Sequence, residues 1–234
     1  MKMKKYLFSG LISLLTLLIA SGVYAESDFF KIGLSHYTRG EFEIAAAHFE
    51  EAKSAEPRNQ LVYFYLGNSY YQLNELDKAI MNYTTGLDLT KDKGKFFYNL
   101  GNCYYLKGNY GFATEMYSKA VLHTPNLFDA YLNAGNAYYR AGNYQKTIIN
   151  WETYLEKYPQ TPQYENIQRA IAYLKEELTN PQVSSKKIDE KTGLDIDLLG
   201  EVLSDLDKFV NQTTNILETS EAPIDDLTTQ EIER

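Results

Sequence analysis

Residues 94–127 read GKFFYNLGNCYYLKGNYGFATEMYSKAVLHTPNL, and this stretch decides the architecture. Phe97, Leu100, Gly101, Tyr104 and Tyr105 recur at three- and four-residue steps, the spacing of one face of a helix. Gly108 follows, a residue that ends a helix in the left-handed conformation without a Cβ clash. A second helical run, GFATEMYSKAVLHT, is stopped by Pro125, which lacks an N–H donor and disfavours helix in the residue before it. The stretch therefore predicts two helices joined by a tight turn. Working outward, its glycine at 101 has counterparts at Gly33, Gly67 and Gly135, each 34 residues apart. Self-similarity at such a period marks a stacked repeat, whose units cannot bury their apolar faces alone.

The other positions repeat in register across 26–59, 60–93, 94–127 and 128–161. The turn residue is Gly40, Asn74, Gly108 and Gly142, and Asn is the usual second choice for that conformation. On the second helix a small residue (Ala45, Ala79, Ala113, Thr147) precedes a large plug: Phe49, Tyr83, Tyr117 and Trp151. A second small site is Ala52, Gly86 and Ala120, replaced by Tyr154; the stop is Pro57, Lys91, Pro125 and Pro159. Small beside large at fixed spacing is what interlocking antiparallel helices require. The pattern resembles the tetratricopeptide repeat. That resemblance implies an all-α protein, a right-handed α–α superhelix of four helix pairs, with a concave groove lined by the first helices. His36, Lys91, Thr147 and Tyr154 depart from the family pattern. The last two are expected to loosen or reshape packing against the helix that follows.

Placed on that superhelix, the inward candidates are Phe30, Leu34 and Tyr37, then Phe64, Asn68, Tyr71 and Gln72. Tyr98, Asn102 and Tyr105 follow, and the fourth unit adds Leu132, Asn136, Tyr139 and Arg140. Asn68, Asn102 and Asn136 fall in register, with Asn99 and Asn133 three residues before the last two. Amides offer donors and acceptors, so such a row is expected to pair with a peptide backbone of any sequence. Tyrosines add flat contact area with little entropy to lose. Some relatives grip a free carboxylate with lysines and asparagines. Here Phe64, Tyr98 and Leu132 stand where a cation is wanted, leaving Lys95 and Arg140 as the available ones.

At the N-terminus, MKMKKYLFSGLISLLTLLIASGVYA combines Lys2, Lys4 and Lys5, an apolar run and a small-x-small end at Val23–Ala25. This predicts a bacterial signal peptide over 1–25 and a periplasmic location, with an uncleaved inner-membrane anchor as the alternative. Past the repeats, Ile167, Ala170, Ile171 and Leu174 mark 162–179 as a capping helix. A polar linker spans 180–193. Leu199, Val202, Leu203, Leu206 and Phe209 form the apolar stripe of an amphipathic helix over 194–217, opposite acidic residues. Residues 218–234 read as an acidic disordered tail. From Pro181 onward there are 13 acids against 5 bases. That balance argues against nucleic acid and gives no reason to bind an anionic membrane surface. The tail helix is expected to dock on the repeats or to offer its stripe to a partner, including a second copy.

Chemistry is poorly served by this sequence. His36, His48 and His123 fall at unrelated phases of the repeat, and neither a phosphate loop nor a metal-spaced cluster nor a nucleophile motif is present. Cys103 stands alone, so no intramolecular disulfide forms, and its neighbours give it no electropositive surroundings. The reading is a non-enzymatic, protein-binding scaffold without metal or cofactor. A self-associating assembly subunit and an accessory subunit of an envelope enzyme are the alternatives.

Overall fold

The structure, a computed structural model, describes residues 28–179 together with Gly200 and Ser204. Within 28–179 there are nine helices: α1 Asp28–Thr38, α2 Phe42–Ala55, α3 Gln60–Gln72, α4 Leu76–Leu89, α5 Gly94–Leu106, α6 Tyr110–His123, α7 Phe128–Arg140, α8 Tyr144–Lys157 and α9 Tyr164–Thr179. Successive helices pack as antiparallel pairs, and each pair packs on the next.

The pairs close through one turn used four times. Gly40, Asn74, Gly108 and Gly142 all take the left-handed conformation, with φ of 74° at the glycines and 58° at Asn74. In the third pair the Gly108 N–H donates to the Tyr105 carbonyl at 2.9 Å and the Asn109 N–H to the Tyr104 carbonyl at 2.8 Å. The other three turns repeat both bonds, so carbonyls left over at each helix end are satisfied in the same way.

The in-register glycines on the first helices have a steric cause. A Cβ on Gly67 would lie 2.5 Å from the Tyr83 ring, and one on Gly101 2.5 Å from the Tyr117 ring. Phe49 seats on Gly33 and Trp151 on Gly135 in the same way. All four plugs are fully buried. Each pair thus locks where a bare backbone meets an aromatic ring.

The departures are absorbed locally. Without a proline at 91, α4 ends at Leu89 and is followed by the extended Thr90, whose hydroxyl accepts from the Asp92 N–H at 3.1 Å. Tyr154, expected to loosen the last interface, is instead fully buried, and its hydroxyl donates to the Thr161 Oγ1 at 3.0 Å. The larger side chain fills the space between α8 and the segment leading into α9. Buried Ile167, Ala170, Ile171 and Leu174 seat α9 on the fourth pair. Glu165, Gln168, Arg169 and Ala172 are exposed where a further second helix would pack, and Arg169 stands at the place of the locking glycines. A charged side chain there differs from the bare backbone on which the plug seats in each of the four pairs.

Successive first helices touch one another (α1 with α3, α3 with α5, α5 with α7) more extensively than successive second helices do. The stack therefore bends toward its first helices, and these line the inner side.

Candidate functional site

The amides expected to form a peptide-binding row are spent inside the protein. Asn68, Asn102 and Asn136 are fully buried, and Asn99 and Asn133 have at most 1% exposure. The Asn68 Oδ1 accepts from the Tyr83 hydroxyl at 2.7 Å and from the Asn99 Nδ2 at 3.0 Å. The Asn102 Oδ1 likewise accepts from the Tyr117 hydroxyl at 2.7 Å and from the Asn133 Nδ2 at 3.2 Å. At Asn136 the donor is the Trp151 indole N–H, at 2.9 Å. Each asparagine thus receives the polar tip of the plug within its own pair. Asn68 and Asn102 also receive the amide of the next pair.

The physical reason is the cost of burying a polar atom without a partner. A tyrosine or tryptophan plug carries its O–H or N–H into the core, and the neighbouring asparagine satisfies it. The first pair proves the rule in reverse. Its plug, Phe49, has no polar tip, and Leu34 stands where the asparagines stand. The next pair answers with Tyr65, stacked on Phe49 at 5.9 Å, in place of an asparagine. Above Asn136 the equivalent residue is Ile167, where the ladder stops. Sequence reasoning saw the row of amides but not its partners. The co-occurrence of asparagine with Tyr or Trp, and of Leu34 with Phe49, was the available signal.

The remaining inward residues form a wall. Phe64 is buried edge-on against Phe96 at 5.2 Å, and Tyr98 lies against Tyr117 at 5.9 Å while accepting from the Asn133 amide at 3.0 Å. Tyr37, Tyr71, Tyr105 and Tyr139 occupy one position in the four pairs, making a row along the inner side. The first three are buried, whereas Tyr139 is half-buried, with its ring 5.5 Å from that of Tyr144. One residue further along, Thr38, Gln72, Leu106 and Arg140 occupy the rim, where Leu106 and Arg140 are exposed.

Lys95 sits in the first turn of α5, whereas Arg140 ends α7. Eleven repeat positions separate them along parallel helices, about 16 Å at the helical rise. They do not converge on one carboxylate, so the two-cation clamp is not assembled here. Opposite them in sign is Asp129, in the first turn of α7, whose carboxyl burial raises to about 6. Burial also pushes the Cys103 thiol far above its usual range, leaving no accessible nucleophile at that position. Among the described residues no three His, Cys, Asp or Glu side chains gather to hold a metal, and no helix is long and apolar enough to cross a membrane. The stripe at Leu199, Val202, Leu203, Leu206 and Phe209 lies outside the described residues.

Tetratricopeptide-repeat family models match residues 30–84, 67–108 and 129–161. The chain is a tetratricopeptide repeat protein. Its repeats share their fold with the crystal structure of MamA protein, at 18% identity over 83% of this chain and 94% of that one, TM-score 0.58. A MamA RS-1 double mutant aligns at 17% identity over 79% and 99%, TM-score 0.60. Both likenesses concern the repeat architecture. No curated protein matches the sequence.

Proposed function

We propose that this tetratricopeptide repeat protein is a non-enzymatic scaffold of the bacterial cell envelope, holding a peptide or helix of another protein against its inner face. The carrying observation is the inner rim of a rigid locked stack, where Leu106 and Arg140 are exposed beside the half-buried ring of Tyr139. Aromatic rings supply contact area at low entropic cost. The asparagine ladder beneath them holds the wall in shape rather than meeting the ligand. Selectivity falls to the rim residues Gln72, Leu106 and Arg140, which differ from pair to pair. Membership of a family built for protein interaction supports the binding role, and the signal-like residues 1–25 support the envelope location. An uncleaved segment would hold the same scaffold at the inner membrane.

The test is site-specific photo-crosslinking in cells. A photoreactive amino acid at 72, 106 or 140 is expected to join the scaffold to a partner protein. The same group at the exposed outer positions Met81, Phe112 and Ile149 is expected not to. Adducts formed only from the outer positions would overturn the inner-face assignment.

A further inference from the structure

At its first and last junctions the stack carries the same carboxylate, but only the first has a ring seated on it. Between the first two pairs, Tyr70 of α3 reaches α2, where its hydroxyl donates to the Glu50 Oε1 at 3.1 Å. The other Glu50 oxygen pairs with Lys53, and Lys78 of the following helix lies over the Tyr70 ring at 4.8 Å. Tyrosine returns at this place as Tyr104 and Tyr138, the latter beneath Lys146 at 5.1 Å. Three 34-residue periods after Tyr70 stands Ala172 of α9, and three after Glu50 stands Glu152 of α8. Thr84 and Ser118 hold the carboxylate's place in the two second helices between.

Beside Ala172, α8 and α9 border a cavity of about 540 Å³, within the range of small-ligand sites. Leu155 and Ile171 are its apolar floor, and Ala172 is exposed. Exposed Glu152, Glu156 and Lys175 also line it. Lys175 pairs with the Glu152 Oε1 at 2.6 Å, so Glu152 holds a lysine on one oxygen, as Glu50 does. Its Oε2 has no partner among the described residues.

We propose that this groove takes a tyrosine side chain of a partner protein, its ring on Leu155 and Ile171 and its hydroxyl donating to Glu152. Tyr70 on Glu50 is the template for that contact, and the carboxylate makes it a charge-assisted bond that phenylalanine cannot form. Two carboxylates stand against one ammonium here, so a lysine or arginine beside the tyrosine is drawn to Glu156. Such a cation also takes the part that Lys78 plays over Tyr70. Residues 180–234 contain no tyrosine, so the segment after α9 does not supply the ring. None of the lining residues belongs to the inner rim of Gln72, Leu106 and Arg140, so the groove is a second contact of the scaffold.

The experiment titrates the full chain with two blocked tripeptides, Lys-Tyr-Lys and Lys-Phe-Lys, at millimolar concentrations, following the methyl NMR signals of Leu155 and Ile171. The tyrosine peptide is expected to shift both signals, and the phenylalanine peptide to bind about tenfold more weakly. Glu152→Gln should narrow that difference to about twofold, because the charged acceptor is gone. Ala172→Tyr should remove the response to both peptides, since its own ring then fills the groove as Tyr70 does. Equal binding of the two peptides by the unaltered chain overturns the tyrosine assignment, and no methyl shift from either overturns the groove itself. A response that survives Ala172→Tyr places the peptides elsewhere and overturns it too. Methyl signals that move on dilution without peptide give the groove to a second copy instead. None of these outcomes bears on the crosslinks at 72, 106 and 140 that test the inner face.

Discussion

Asn102 does two jobs with one oxygen: it caps the buried Tyr117 hydroxyl and ties the third pair to the fourth through Asn133. Its energetic role can therefore be measured against the first pair, where Leu34 and Phe49 achieve closure without polar atoms. Tyr117→Phe should destabilise the stack by about 1 kcal/mol, since the amide keeps its second donor. Asn102→Leu should cost about 2–3 kcal/mol by stranding two buried donors. The double variant should cost less than their sum, with a coupling of about 0.5–2 kcal/mol read from denaturant melts. Strict additivity would show that the two side chains act independently. Asp129 makes a second prediction at this scale. Burial holds its folded value at about 6, above the ordinary carboxylate value, so folding favours its protonated form. The stabilisation is complete below about pH 4 and is lost as the pH rises through about 6. Asp129→Asn should consequently raise stability at pH 7.5, on the order of 2 kcal/mol, and do little at pH 4. Thermal melts at the two pH values check the sign.

At the scale of elements, a pair is specified by three local requirements, and each is visible along the chain. A turn residue must accept positive φ, a first helix must bare its backbone, and a second helix must supply a ring. These recur at fixed offsets, so α1 to α8 follow from the 34-residue period, even across Lys91, where Thr90 takes over the stop. The fate of the last interface was less legible. Tyr154 breaks the small-residue pattern, yet it is buried because Thr161, on the segment leading into α9, accepts its hydroxyl. Helix α9 buries Ile167, Ala170, Ile171 and Leu174 against the stack, and Leu174 is fully buried there. Truncating it, Leu174→Ala, should cost about 2–4 kcal/mol. Because repeat proteins couple mainly between neighbours, hydrogen exchange should accelerate first in α8 and α9, with α3 to α6 keeping their protection. Uniform loss of protection along the stack would show long-range cooperativity instead.

For the whole molecule, the acidic charge and the proposed location both rest on segments flanking the repeats. Residues 1–25 carry three of the 23 basic residues and no acid, while the arm from Pro181 holds 13 of the 31 acids. If 1–25 directs export and is removed after Ala25, the mature chain recovered from the periplasm should begin at Glu26, as read by N-terminal sequencing. A chain beginning at Met1 in the membrane fraction would mean the segment serves as an anchor. The sequence by itself determined the pair, its turn and its number of copies, because steric rules for glycine, rings and turns act locally and repeat with the chain. The tertiary structure alone decided which polar residues face outward. Its hydrogen bonds join residues 15 and 31 apart, on different helices, and they take the asparagines that periodicity assigned to the groove into the interior.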